Sequence, residues 1–240
     1  MVVIIHGGFW KNHVGLEIMD NLANMITLNG FATWNIEYRR VGDAGGGYPG
    51  TFFDCENAVD YINTLCKSYP LDPDRVIIIG HSAGGHLALW LAGRKKSSPS
   101  SIIGKTSPSV SIRGVISLAG VSDLEMMYHI HRLQEINTQT RYNPTRDFIG
   151  GSPEEFSQRY KEASPIHLLP IDIPSVLIHG NLDINVPIGI SSQFEKMASQ
   201  AGDNVYLEEI SHAEHFKVID PDSEIKQVIL SHVKKLSNEN

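Results

Sequence analysis

Cysteine is scarce in this sequence, with only Cys55 and Cys66 among 240 residues. Both fall in a segment of helical periodicity, and their separation of eleven positions corresponds to about 16 Å of helix, which is beyond the reach of a disulfide. The sequence also lacks an Asn-x-Ser/Thr glycosylation triplet and a secretion signal pattern. We therefore expect two packing thiols and a reducing, cytoplasmic location.

Basic residues and long apolar runs are also under-represented. Twenty Lys and Arg face 27 Asp and Glu, for a formal net charge of −7, whereas nucleic acids and anionic membranes are bound by clusters of Lys and Arg. A membrane-spanning helix needs about 20 consecutive apolar residues, and no stretch of the sequence supplies them. These absences argue against nucleic-acid and membrane partners and favour a small-molecule substrate. They leave the oligomeric state open, a homodimer included.

Short apolar segments alternate along the chain with segments of helical periodicity. Strands are predicted at 2–5, 31–36, 76–79, 115–118, 176–178 and 205–210, and the main helices at 16–28, 51–66, after Gly85, at 190–201 and at 223–236. Such alternation is typical of an α/β fold, here a mainly parallel sheet of about six strands with helices on both faces. A polar, Ser- and Pro-rich stretch at 97–111 is interpreted as a surface loop.

One segment departs from this alternation. Residues 121–169 are helical only in patches, and their length and irregularity predict an insertion that covers a functional site like a lid. With 41% hydrophobic residues, residues 1–240 suit a single domain that contains this insertion.

The turn after the third strand carries the strongest chemical signal. It contains Gly80, Ser82 and Gly84 in the spacing G-x-S-x-G, which is typical of a serine nucleophile on a tight strand-to-helix turn. A dinucleotide-binding turn would need glycine where Ser82 stands. Ser82 is therefore the predicted nucleophile.

A serine nucleophile needs a histidine base and an acid that orients it. Asp183 follows the strand at 176–178 on the side where ligands bind in parallel sheets, and Asp123 is the second choice. For the base, His215 precedes an apolar stretch that would anchor it, and His212 is the alternative. The resulting order is Ser82, Asp183, His215.

Acyl transfer also requires backbone donors for the oxyanion of the tetrahedral intermediate. The glycine turn after the first strand offers the N–H groups of Gly8 and Phe9, and Ala83 follows the nucleophile. Trp10, Tyr48 and His81 are predicted to line an apolar substrate pocket. No metal site is predicted, because the pairs His129/His131 and His212/His215 lack further ligands at recognised spacing.

These motifs together resemble the α/β-hydrolase fold. They are HGGFW at 6–10, GHSAGG at 80–85, HGNLD at 179–183 and HF at 215–216. More closely, EYRRVG at 37–42, GGGYP at 45–49 and ASPI at 163–166 are similar to the esterase/lipase group related to kynurenine formamidase. This fold normally has two strands before the one at 2–5, and the sheet is expected to lack them here.

The resemblance covers nearly the whole chain. It implies a cofactor-free serine hydrolase with Ser82, Asp183 and His215 as its triad, and it implies that Gly8, Phe9 and Ala83 form the oxyanion hole. The predicted substrate is a small carboxylic ester. Hydrolysis of N-formylkynurenine is the nearest alternative, and a non-catalytic ligand-binding protein or a metal hydrolase on this fold are alternatives of another class.

Overall fold

Six parallel strands form one sheet in the computed structural model, which describes residues 1–104, 109–220 and 222–238. The strands are β1 (Val2–Ile5), β2 (Thr33–Ile36), β3 (Val76–His81), β4 (Ile112–Leu118), β5 (Ser175–Gly180) and β6 (Val205–Ile210), in the order β2-β1-β3-β4-β5-β6. All five pairings are parallel. This confirms the predicted parallel α/β sheet and its six strands.

Helices cover both faces of the sheet. They are α1 (Asp20–Leu28), α2 (Gly50–Asp60), α3 (Ile62–Leu65), α4 (Ala83–Gly93), α5 (Leu124–Thr138), α6 (Pro144–Ile149), α7 (Ser157–Ala163), α8 (Gly189–Ala201) and α9 (Ile225–Asn238). Because successive strand side chains point to opposite faces, Val3 and Ile5 join a core with α2, α4 and α8, whereas Val2 and Ile4 join a second core with α1 and α9.

Several element boundaries differ from the predicted ones. The helix predicted at 51–66 is interrupted at Tyr61, and the one predicted to begin at residue 16 starts with a 3-10 turn, Leu16–Met19. Strand β3 continues to His81 because it stays paired with β4 as far as Leu118. The last helix is shifted to Ile225–Asn238. Part of the loop predicted at 97–111 lies outside the described residues.

The predicted insertion at 121–169 contains α5, α6 and α7, and it packs against the turn after β1. The ring of His131 in α5 lies 5.0 Å from that of Phe9, and Phe148 in α6 stacks on Trp10 with ring centroids 4.5 Å apart. The segment therefore lies over the candidate oxyanion turn, while its action as a lid stays a prediction. Within the described ranges, no helix is both long enough and apolar enough to cross a bilayer.

Candidate active site

Ser82 lies between the last residue of β3 and the first residue of α4. Its backbone is in an unusual conformation, with φ 55° and ψ −118°, as expected for a nucleophile on a sharp turn. A Cβ at Gly80 would lie 2.0 Å from the carbonyl oxygen of Gly84, and one at Gly84 would lie 2.1 Å from that of Ile5. Only glycine fits at these two positions, so the G-x-S-x-G spacing follows from the close packing of the turn.

Asp183 and His215 meet across two neighbouring loops, one after β5 and one after β6. The Nδ1 atom of His215 donates to Oδ2 of Asp183 at 2.6 Å. The N–H groups of Asn185 and Val186 both donate to Oδ1 of Asp183 at 2.9 Å. The structure thus brings the predicted acid and the predicted base within hydrogen-bond distance, and the turn after β5 holds the carboxylate.

The surroundings of Asp183 favour its charged form. Burial of the side chain raises the pKa of the carboxyl, but hydrogen bonds from His179, His215 and the Val186 N–H outweigh it and lower the pKa well below its usual range. Asp183 is therefore a carboxylate at neutral pH and keeps the proton of His215 on Nδ1.

His81 connects the nucleophile turn to the base. Its Nε2 donates to the backbone carbonyl of His215 at 3.0 Å, and the two rings lie 4.7 Å apart. Burial, with the nearby imidazole of His215, lowers the pKa of His81 to about 3. His81 is thus a neutral packing residue beneath the base. Among the described contacts, the hydroxyl of Ser82 has no hydrogen bond of its own.

Three backbone N–H groups near Ser82 are available as donors. Gly8 and Phe9 have φ values of 105° and 49°, so the chain turns sharply after β1. A Cβ at Gly7 would lie 3.0 Å from the Cβ of Ser82, which places this turn against the nucleophile. In the part of the chain that the structure describes, the N–H groups of Gly8, Phe9 and Ala83 have no hydrogen-bond acceptor.

Asp123 and His212, the second choices for the acid and the base, take no part in the Asp183–His215 hydrogen bond. Asp123 caps the N-terminus of α5 by accepting a hydrogen bond from the N–H of Met126 at 3.0 Å. His212 is exposed and has a φ of 60°. Neither contacts the Asp183–His215 pair through a side-chain hydrogen bond, so the structure favours the first choices.

The three predicted pocket residues differ in their exposure to solvent. Trp10 is fully buried and His81 is 1% exposed, which makes both of them core residues beside the site instead of open walls. Tyr48 is partly exposed, and its hydroxyl donates to Glu162 at the end of α7. Burial and this hydrogen bond raise the pKa of Tyr48. Of the three, only Tyr48 presents a surface to solvent.

Sequence reasoning missed two buried histidines that support the site. His179 contacts Asp183, and His86 accepts a hydrogen bond at Nδ1 from Nε1 of Trp10 at 3.2 Å. His179 stands inside the HGNLD motif and His86 directly follows the GHSAGG motif, but only their depth in the fold distinguishes them from surface histidines. Neither pair discussed as a metal site, His129/His131 or His212/His215, belongs to a group of three or more His, Cys, Asp or Glu side chains that could hold a metal ion among the described residues.

Solved structures of esterases share this fold. A truncated carbohydrate esterase from gut microbiota superposes with a TM-score of 0.83 at 21% identity, covering 99% of this chain and 86% of that one. The esterase Est2 of Thermogutta terrifontis with bound butyrate gives a TM-score of 0.73 at 19% identity, covering 98% and 81%. These similarities confirm the predicted α/β-hydrolase fold.

Proteins that are similar to this chain in sequence also carry esterase names. Esterase LipQ of Mycobacterium tuberculosis is 28% identical over 225 residues, which cover 90% of this chain and 49% of LipQ. The chain therefore spans about half the length of this relative. The BD-FAE family matches residues 1–197, a range that includes Ser82 and Asp183 and ends before His215. Because this match covers most of the 240 residues, the chain belongs to the BD-FAE family.

Proposed function

We propose that this protein is a cofactor-free serine carboxylesterase that cleaves small carboxylic esters through an acyl-enzyme intermediate. The observation that carries the proposal is the hydrogen bond between His215 and Asp183 beside the strained turn of Ser82. The esterase names of the relatives support the same reaction class.

Asp183 and His215 can activate Ser82 because they fix one proton on Nδ1 of His215. Because Nδ1 of His215 donates to Asp183, Nε2 of the neutral imidazole is left as the basic nitrogen. This nitrogen accepts the proton of Ser82 as Oγ attacks the ester carbonyl, and it then returns the proton to the departing alcohol. Water then attacks the acyl-enzyme and gives its proton to the same nitrogen, which returns the proton to Oγ of Ser82 as the carboxylic acid leaves. The contact between serine and histidine is often long in unliganded hydrolases and shortens when substrate binds.

The free N–H groups of Gly8, Phe9 and Ala83 would receive the charge that develops on the carbonyl oxygen. They are fixed before the reaction begins, so they need no reorganisation in the transition state. Losing one such donor costs about 3 kcal/mol of barrier. A short acyl chain is the proposed substrate feature, in line with the butyrate bound to Est2, and Tyr48 is the proposed wall of its pocket.

The first test compares p-nitrophenyl acetate and butyrate hydrolysis by the parent, Ser82→Ala and Ser192→Ala. Ser192 is an exposed serine on α8 and serves as the control. We expect Ser82→Ala to lose activity by roughly a thousandfold or more, while Ser192→Ala keeps the parent rate. Turnover that survives in Ser82→Ala would remove the proposal.

A second candidate is formamide hydrolysis of N-formylkynurenine by the same residues. It is supported by the HGGFW pattern at residues 6–10 and by a base that can protonate an aryl amine as readily as an alcohol. Assaying N-formylkynurenine beside the esters decides between the two, since a preference for the formamide by orders of magnitude would make the protein a formamidase. Absence of Ser82-dependent turnover of either substrate would favour a ligand-binding role.

A further inference from the structure

A third histidine, His179, lies directly against the acid of the proposed triad. It stands near the end of β5 and is fully buried. Its Nε2 is 3.3 Å from Oδ2 of Asp183 and 2.8 Å from the carbonyl oxygen of Val186. Its Nδ1 is 2.8 Å from Oγ of Ser191 in α8. One imidazole thus joins the strand, the acid loop and the following helix.

These neighbours fix where the proton of His179 lies. Both atoms that face Nε2, on Asp183 and on Val186, are oxygens that only accept hydrogen bonds, so Nε2 of the neutral imidazole must carry the proton. Nδ1 is then an acceptor, and the hydroxyl of Ser191 donates to it. Ser191 therefore satisfies Nδ1 in this tautomer and holds the orientation of the ring in which His179 donates toward the acid.

The carboxylate of Asp183 is consequently held by three hydrogen bonds and by the additional contact with His179. Oδ1 receives the N–H groups of Asn185 and Val186, and Oδ2 receives His215 at 2.6 Å and lies 3.3 Å from Nε2 of His179, whose one proton is shared with the carbonyl of Val186. Val186 closes the arrangement, because its N–H donates to Asp183 while its carbonyl accepts from His179. Rotation of the carboxylate would break contacts on both oxygens, so Oδ2 stays directed at His215.

We propose that His179 is a positioning residue that holds Oδ2 of Asp183, the oxygen that also accepts from His215, with Ser191 as the group that orients the imidazole of His179. This inference rests on the proposed serine esterase reaction. His179 does not face substrate, since its side chain has no exposed surface. Its loss should therefore lower kcat and leave KM almost unchanged.

The kinetic experiment uses five single variants, Asp183→Asn among them, and one double variant. His179→Leu removes the donor, whereas His179→Gln keeps an N–H near the place of Nε2. Ser191→Ala removes the orienting hydroxyl, and Ser192→Ala removes an exposed neighbouring hydroxyl as its control. We expect kcat to fall roughly tenfold in His179→Leu, to fall less in Ser191→Ala, and to recover in His179→Gln. In an Asp183→Asn background, His179→Leu should change kcat by less than about twofold, because it acts through Asp183.

A spectroscopic measurement tests the positioning role of His179 without relying on turnover. The proton on Nδ1 of His215 is followed by NMR, and its resonance is assigned by its loss in His215→Gln. We expect the signal to shift or broaden in His179→Leu and to match the parent in His179→Gln.

The outcomes separate this inference from the proposed function. A parent enzyme without Ser82-dependent turnover would contradict the esterase proposal, while the NMR comparison would still decide whether His179 positions Asp183. Equal kcat and an unchanged resonance in folded His179→Leu would overturn the positioning role, as would a Gln variant as impaired as Leu. If His179→Leu does not fold, two other comparisons test the positioning role of His179. They are Ser191→Ala against Ser192→Ala, and His179→Gln against the parent.

Discussion

Ser82 holds a backbone conformation that few non-glycine residues adopt. The strain is tolerated because its neighbours fix it from both sides. The N–H of Ser82 donates to the carbonyl of Leu118 in β4 at 2.8 Å, and its own carbonyl accepts from His86 in α4. The turn can pack this closely against β1 because Gly84 has no Cβ.

A single added methyl group should therefore disrupt this turn. In Gly84→Ala the new Cβ would lie 2.1 Å from the carbonyl oxygen of Ile5, so either α4 or β1 must move. We expect a loss of about 2 kcal/mol or more in the free energy of unfolding, measured in urea, together with loss of ester turnover. Gly189→Ala is the matched control, since its Cβ would meet nothing within 4 Å. A Gly84→Ala protein with parent stability and turnover would refute this account of the turn.

The residues of the candidate site were accessible to sequence reasoning to different degrees. Ser82, Asp183 and His215 were predictable because each sits at a strand end in a recognisable pattern, and the last two do meet. The surroundings of Trp10 and His81 were not predictable, since an aromatic ring next to a motif gives no sign of whether it faces solvent or the core.

The turn after β1 depends on other elements for its shape. Trp10 donates its indole N–H to His86 in α4 and stacks on Phe148 in α6, and His86 in turn donates from Nε2 to the carbonyl of Ala163 in α7 at 2.8 Å. Burial lowers the pKa of His86 to about 4, so its Nδ1 is a neutral acceptor. This chain of bonds connects the turn that carries Gly8 and Phe9 to the segment at 121–169.

Removing the first bond of this chain should loosen the turn. Trp10→Phe keeps an aromatic ring against Phe148 but leaves the buried Nδ1 of His86 without a donor, at a cost of about 1–3 kcal/mol in stability. We expect kcat for p-nitrophenyl butyrate to fall roughly tenfold with little change in KM. Trp34→Phe loses a comparable indole bond, to the carbonyl of Ala58, in a different element. If both variants keep the parent kcat, the bond does not position the turn.

Three of the six strands, β3, β4 and β5, are longer than the segments that the sequence predicts, for a physical reason. An apolar run marks only the part of a strand that is buried in the core, whereas the strand ends where backbone pairing ends. His81 and Gly180 are polar or small, yet they remain paired with Leu118 and Ile210. The break of the predicted helix at Tyr61 is likewise invisible in a continuous helical pattern of apolar residues.

Burial disfavours the charged form of His81, His86 and His131 in the interior of the molecule. Burial lowers the pKa of His81 to about 3 and that of His86 and His131 to about 4. Unfolding would return each to about 6.5. Below pH 6.5 the unfolded chain therefore binds protons that the folded chain does not, so stability is present above that pH and is lost as the pH falls toward 4.

We expect the free energy of unfolding to decrease between pH 7 and pH 5, by about 1.4 kcal/mol per pH unit below 6.5 for each such histidine. Nδ1 of His131 forms a hydrogen bond with Oγ1 of Thr145 at 3.0 Å. His131→Asn removes the titrating imidazole and keeps a polar group near Thr145. The decrease to pH 5 should be about 2 kcal/mol smaller in His131→Asn. Urea unfolding at the two pH values measures it, with His129→Asn, at an exposed position, as control. An equal decrease in the parent and in His131→Asn would contradict the assignment.

The order of the strands also has a consequence for biosynthesis. The turn of Gly8 follows β1 and the turn of Ser82 follows β3, and these two strands pair with each other. His215 follows β6, which lies at one edge of the sheet. A growing polypeptide on the ribosome can thus assemble the nucleophile and the oxyanion donors early, but it gains its base only when β6 docks on β5. Under the proposed mechanism, a chain stalled before this step would display a serine without reactivity, so hydrolytic activity would appear only after the last strand is in place.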